Sequence, residues 1–297
     1  MRNLLRSECI KCIAEKNMNR IQEGATEEQK LAYLQGILGI ISKAPVDVCA
    51  PVIVRDINLL SKEIFGTAQD YSKEKTYYNQ LMLEKEAGIR EKIHASEDVL
   101  LTALQYALVG NYIDFGAMHS VDDDYLEKLL SDVRSKAVAA EAYEKLKKDL
   151  STCKKLVFLT DNAGEAVMDK LFIEVIKEIY SPEKVTVLVK GSPVLNDAAM
   201  EDAMEIGLDK VAEVVDNGNG IAGTWLPELS DKAREIMDAA DVIISKGQAN
   251  FETLRLCGKN IYYIFLCKCK MFCENFKVPQ YTGMLIREKD LSGSSQS

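Results

Sequence analysis

Histidine is almost missing from this 297-residue chain. The two present, His94 and His119, stand in no metal-ligand spacing, which argues against a histidine-rich zinc site. No run approaches the roughly 20 apolar residues that a membrane-spanning helix needs, so no membrane partner is expected. The opening MRNLLRSECIKCIAEKN is interrupted by Arg2, Arg6, Glu8 and Lys11, which break a signal-peptide core and make a cytoplasmic location the expectation. A Walker lysine–serine loop is absent, disfavouring a P-loop NTPase. Positive charge is also short. The net charge of −9 opposes broad capture of nucleic acid, which relies on Lys and Arg to neutralise phosphates. A small anionic substrate stays compatible, because one lysine, a helix N-terminus and a cation can build a local positive field. Oligomeric state is not legible.

Eight cysteines in a chain of this length do not read as a disulfide scaffold, and reduced thiols are expected. Cys9 and Cys12 stand at i and i+3, so on a helix they share a face and could chelate a soft metal. Cys49 or the group Cys267, Cys269 and Cys273 would complete such a site; packed core thiols are the alternative.

The organisation changes near residue 150. Residues 1–150 read as helices, a subdomain expected to form one wall of a cleft. Thr26 and Gln29 form a capping box before LAYLQGILGII. Ser96, followed by Glu97 and Asp98, caps VLLTALQYALVG, and Pro45 and Pro51 punctuate the junctions. Leu126, Leu129, Leu130, Val133 and Ala137 predict one amphipathic helix running towards Leu150. Over 151–290 short β-branched runs (155–160, 184–190, 210–215, 241–246, 260–266) alternate with helices. That predicts an α/β domain with a mostly parallel sheet covered on both faces, and ligands at the carboxyl ends of its strands. The tail 291–297, LSGSSQS, is expected to be disordered.

Four clusters fall where elements end. In LVFLT-DNAGE a strand delivers Asp161 and Asn162 to its tip before Ala163-Gly164 turns into a helix opening with Glu165. Two oxygen-bearing side chains and a glycine at a helix N-terminus suit a hard cation beside a phosphate; helix capping is the plainer alternative. In VLVKGSPVLNDAAMEDA, Asn196 and Asp197 would reach the same sheet edge, or Asp197 caps the next helix. In DVIISKGQANFE, Lys246 beside Gly247, with Asn250 after it, is placed to neutralise a phosphate or is a solvated loop lysine. In VGNYIDFGAM, Gly110-Asn111 closes a helix, and Asp114 among apolar neighbours suggests a cleft position, since an unpaired buried carboxylate is costly. The glycine-rich NGNGIAG over 217–223 has the wrong spacing for a dinucleotide loop and reads as a flexible loop, with a substrate lid as the alternative.

Taken in order along the chain, GNYIDFG, DNAGE, LNDAAMEDA and SKGQANFE resemble the damage-control phosphatase family, formerly domain of unknown function 89. ECIKC near the start and Lys268-Cys269 after the last predicted strand resemble its prokaryotic branch. The resemblance implies a three-layer α/β/α sandwich with a helical subdomain and a cleft holding one divalent cation, Mn, Co, Ni or Mg. It implies Asp161, Asn162 and Asp197 as metal ligands, Lys246 as a phosphate contact, and Asn111 and Asp114 as the helical wall. Gly164, Glu165, Asn196 and Asn250 would complete the substrate side, around a small phosphorylated metabolite such as a sugar phosphate. Either a metal-activated water or an aspartyl nucleophile fits, and Glu165 is a candidate acid or base. Two other functions share these residues: an S-adenosylmethionine-dependent carboxyl methyltransferase, and a non-catalytic metabolite- or metal-binding protein.

Overall fold

The structure is a computed structural model that describes residues 4–66, 70–112, 123–133 and 138–291. The chain divides into two units, Met1–Asp70 and Tyr71–Ser297. The first contains α1 (Ser7–Met18), α2 (Glu27–Lys43) and α3 (Ala50–Phe65). The Thr26–Gln29 capping box is present: Gln29 N–H donates to Thr26 Oγ1 (3.2 Å) and Thr26 N–H to Gln29 Oε1 (3.0 Å). Pro51 lies in the first turn of α3, where its missing N–H costs nothing. Cys9 and Cys12 are half-buried and exposed on α1, Cys49 is buried, and no disulfide forms among the described residues.

The second unit opens with α4 (Ser72–His94), α5 (Val99–Gly110), α6 (Asp123–Ser131) and α7 (Ala140–Leu150). Asp98, not Ser96, caps α5, accepting from Leu101 N–H at 2.9 Å, while Ser96 Oγ donates back to Ile93 O. The single helix expected from Leu126 to Leu150 is two helices. Ser131 Oγ bonds the Lys128 carbonyl and the chain leaves the helix there. Leu126, Leu130, Val133, Leu146 and Leu150 are all buried in one cluster, so the apolar period runs across a break it cannot reveal.

From Lys155 onwards the chain alternates β1 (Lys155–Leu159), α8 (Glu165–Tyr180), β2 (Lys184–Val189), α9 (Met200–Glu205), β3 (Glu213–Asp216), α10 (Asp231–Asp238), β4 (Val242–Lys246), α11 (Gln248–Leu254), β5 (Ile261–Cys267), α12 (Lys270–Phe276), β6 (Thr282–Arg287) and α13 (Glu288–Leu291). The sheet order is β3-β2-β1-β4-β5-β6, parallel except for β6 against β5. Consecutive residues of β1 serve opposite cores. Leu156 and Phe158 pack with α4, α5 and α8, whereas Val157 and Leu159 pack with α10 and α11. Burial on both faces is what a near-continuous apolar strand sequence encodes. Phe251 anchors the second core, stacked on Phe265 at 4.8 Å and edge-on to Tyr263 and Phe272 at 5.1 Å. Fully burying such a ring stabilises by about 1.5–3 kcal/mol.

The strand order reverses direction between β1 and β4. At such a switch point the loops leaving two neighbouring strands diverge to opposite faces and open a crevice at the carboxyl edge. The loop after β3 lies beside that edge and is ordered, not slack. Asn217 Oδ1 accepts from the N–H groups of Gly191 and Asn219, Asn219 Oδ1 accepts from Ile221 N–H, and Ile221 is fully buried. Among the described residues no helix is long and apolar enough to cross a membrane. The residues at 292–297 of the expected tail lie outside the described residues.

Candidate active site at the carboxyl edge of the sheet

The switch point gathers most of the residues singled out above. Asp161 and Asn162 follow β1, Asn196 and Asp197 follow β2, and Gly247 follows β4. A short antiparallel bridge joins Asn162 to Asp197, with Ala163 N–H donating to Asn196 O at 2.9 Å and Ala198 N–H to Asp161 O at 2.8 Å. This bridge holds the two aspartates side by side. Neither caps a helix: α8 is led by Gly164 and α9 by Ala199, each without a side-chain bond from Asp161, Asn162 or Asp197. Leu195, with φ of 48°, turns the chain into this bridge through a left-handed conformation that few non-glycine residues adopt.

Asp161 is buried at 7% exposure, and its Oδ2 accepts from Asn111 Nδ2 (2.8 Å) and Asn162 Nδ2 (3.0 Å). Burial pushes its carboxyl well above the usual range, and the neighbouring Glu165 and Asp197 add to this, while Lys268 and Lys190 pull the other way. Three acidic side chains crowd one buried spot. Gly247 makes the crowding possible: a Cβ there would fall 2.1 Å from Asp161 Cγ and Oδ2, and its φ of +82° is itself one that L side chains avoid. The Asp161 carboxylate occupies the space a side chain would fill.

Gly164 (φ +74°) forms the turn into α8, with Tyr78 of α4 against it. Its N–H donates to Asn79 Oδ1 at 2.7 Å, and Asn79 Nδ2 is held by Glu205 (2.7 Å) and Asp202 (3.2 Å). Thus α4 clamps the turn. Glu165 is fully buried and accepts from Asn111, Asn162 and Lys246. Asn111 completes its bonding by accepting from Leu266 N–H at 3.0 Å, which ties the end of α5 to β5.

Lys246 is not a solvated loop lysine. Its side chain is fully buried, and its three N–H bonds go to Ala107 O, Glu165 Oε1 and Asp169 Oδ1. Burial alone would lower its pKa, but Asp169 and Glu165 outweigh burial and hold the amine above its ordinary value. Asn250 bonds the Thr160 and Lys246 carbonyls and accepts from Thr224 Oγ1, so it ties the ends of β1 and β4 to the loop after β3. Asp114 lies outside the described residues. Two further lysines stand here: Lys190, from the second cluster, and Lys268, from the Lys268-Cys269 pair that resembles the family's prokaryotic branch. Lys190 Nζ is 3.3 Å from Asp197 Oδ2, and Lys268 follows β5; both lower the Asp161 pKa. Each ends a strand at the carboxyl edge, the feature that had drawn attention to Lys246.

The sequence matches the damage-control phosphatase ARMT1-like domain family over residues 5–284. The chain belongs to that family. A damage-control phosphatase of Pyrococcus horikoshii is 31% identical over 95% of this chain and 97% of its own. A damage-control phosphatase of Archaeoglobus fulgidus is 34% identical over 73% and 75%. An uncharacterized protein of Methanocaldococcus jannaschii is 30% identical over 95% of both chains. Among solved structures, a DUF89 family protein from Pyrococcus horikoshii superposes with a TM-score of 0.79 at 24% identity, covering 96% of this chain and 99% of that one. The three-layer reading of the fold agrees with that DUF89 structure: one mostly parallel six-stranded sheet between helices.

The crowded acids also bear on whether a cation suits this member of the family. Among the described residues no group of three or more His, Cys, Asp and Glu is disposed to hold a metal ion. The candidate set is of another kind, Asp161 and Asp197 with the Asn162 amide. Hard oxygen donors of this type match Mg- or Mn-like ions better than soft ones. A carboxylate held above its normal pKa by burial, with like charges adding to the rise, is where a bound cation would relieve the repulsion.

Proposed function

We propose that this protein is a divalent-metal-dependent phosphatase that hydrolyses phosphate monoesters of small metabolites, sugar phosphates among them. Its family membership supports the phosphatase role, and the Asn162–Asp197 bridge at the switch point, which brings Asp197 up to buried Asp161, is the observation that supports the metal dependence. Asp161, Asp197 and the Asn162 amide oxygen would hold the cation. When bound, such an ion polarises a phosphoryl oxygen and makes an attacking water more acidic.

The chain's own groups do the rest. The cationic side chains that act on Asp161, Lys190 and Lys268, supply positive charge for a substrate phosphate, a role that Lys246 leaves open because its N–H donors are spent on protein acceptors. Lys190 also sits beside Asp197, which orders its ammonium at the end of β2. Positive charge fixed where negative charge gathers on the phosphoryl oxygens lowers the barrier without reorganisation. The Asn162–Asp197 bridge keeps the ligands of two different strands in register. A carboxyl methyltransferase would place a glycine-rich adenosyl-binding loop after β1, where this chain has buried acids instead.

The test is phosphate release by metal-stripped protein, with p-nitrophenyl phosphate and a panel of sugar phosphates, after adding Mn, Co, Ni or Mg. Release that needs the metal and vanishes in Asp161→Ala is expected. Folded protein that releases no phosphate with any of these metals would sink the reading.

A further inference from the structure

The polar contacts behind the candidate ligands form a chain with a direction. It starts at Lys246, whose fully buried ammonium reaches Glu165 Oε1 at 2.6 Å. Glu165 Oε2 then accepts from two amides, Asn111 Nδ2 at 2.9 Å and Asn162 Nδ2 at 3.0 Å. The same two NH₂ groups donate to Asp161 Oδ2. A side-chain amide can be turned over at almost no cost in shape, so only its neighbours decide which end is nitrogen and which is oxygen. Asn111 is decided twice, because Leu266 N–H requires the oxygen at its other end. Among the described residues, Asn162 has no such second restraint from the backbone. Its orientation rests on Glu165 Oε2 and Asp161 Oδ2, and a reversed amide would set its carbonyl oxygen against both.

We infer that Glu165 and Lys246 are a positioning pair: Lys246 anchors Glu165, and Glu165 fixes the Asn162 amide with its NH₂ towards Glu165 Oε2 and Asp161 Oδ2, which leaves its oxygen as the end offered to the cation. This inference rests on the metal-site reading above. Glu165 is accordingly not the proton carrier of the reaction. Both its oxygens are engaged by N–H donors, and it has no exposed surface. Among the described residues the Lys246 ammonium bonds neither candidate aspartate ligand; its acceptors are Ala107 O, Glu165 and Asp169. Groups that orient a ligand from behind commonly cost about 10–100-fold in metal affinity when altered.

The experiment is Mn²⁺ binding by metal-free protein, followed through the paramagnetic resonance of free Mn²⁺, with urea unfolding run beside it. Glu165→Gln keeps the shape but offers Asn162 an NH₂ that accommodates the reversed amide. Its Mn²⁺ dissociation constant should rise about 10–100-fold while unfolding stays cooperative. Lys246→Met, which leaves Glu165 in place, should weaken Mn²⁺ in the same direction. Asp149→Asn alters another carboxylate with three side-chain donors, Asn260, Tyr262 and Arg287, at the opposite edge of the sheet. It should lower stability and leave Mn²⁺ affinity unchanged, which separates positioning from general loosening. Should either site variant fail to fold, exchange of the Asn162 side-chain NH₂ in unaltered, asparagine-labelled protein decides the matter: protection is expected and free exchange overturns the inference. Wild-type affinity in folded Glu165→Gln also overturns it. Wild-type protein that binds no Mn²⁺ overturns the metal-site reading itself, and this inference with it.

Discussion

Replacing Gly247 by alanine is the most sensitive probe of the site, because one methyl group meets the candidate ligand directly. The added Cβ would lie 2.1 Å from Asp161 Cγ and Oδ2 and 2.4 Å from Oδ1. Ordinary contact between such atoms is about 3.5 Å, so the carboxylate must retreat by more than about 1 Å. It has little room, because Asn111 and Asn162 hold Oδ2 and the Asn162–Asp197 bridge fixes the backbone. The φ of +82° adds about 1–2 kcal/mol of backbone strain, and overpacking a filled site adds about 1–3 kcal/mol. Stability should therefore fall by about 2–5 kcal/mol. Oxygen ligands to Mg-like ions sit within a few tenths of an ångström of about 2.1 Å, so a shift of this size removes Asp161 from the set and metal affinity with it. Urea unfolding and calorimetric Mn²⁺ titration read the two effects. Gly39→Ala is the matched control, since its Cβ meets nothing within 4 Å inside α2 and a helical alanine should stabilise by about 0.5–1 kcal/mol. A Gly247→Ala protein with wild-type stability and Mn²⁺ affinity would refute the packing argument.

Asp169 should make stability depend on pH. Its carboxyl is pushed up to about 7 by burial, with Glu165 adding to the rise and Lys246 opposing it. The folded form therefore keeps a proton that the unfolded chain releases near pH 4. The stabilisation is complete below about pH 4 and is lost as pH rises through about 7. Asp169→Asn cannot lose that proton, so its stability relative to wild type should improve from about pH 4.5 to 8 in urea unfolding; a constant difference would contradict the assignment. Asn79→Ala should cost about 2–3 kcal/mol, because Gly164 N–H is left buried without its acceptor. Amide exchange at Gly164 should speed up beyond the global change, and unaltered protection there would mean that α4 does not clamp the turn.

The sheet was legible because each parallel strand is apolar on both faces, and all five such runs were found to within about three residues at their ends. β6 was not read: TGMLIR is a half-buried edge strand with no clean alternation. Asp161, Asn162 and Asp197 were visible because polar residues directly after an apolar strand stand out. The surroundings of Lys246 were not. Its counter-ions Glu165 and Asp169 lie 81 and 77 residues earlier, and nothing in the local sequence SKG distinguishes a buried ammonium from a solvated one. Likewise Asn111 looks like a helix terminus in sequence, while its work is done on Asp161, 50 residues away.

The strand order carries a consequence for how this chain comes off the ribosome. β1 finds one neighbour soon, in β2, but its other edge stays open until β4, whose pairing begins with Leu156 against Val242. The Lys155–Asp241 contact at the start of that pairing spans 86 residues. At about 5–20 residues per second that is about 4–17 s of synthesis with the apolar KLVFL segment unpaired on one side. An exposed, apolar strand edge is a template for pairing with other chains. The same crossover that opens the crevice thus sets a window during translation in which one edge of β1 waits for its partner.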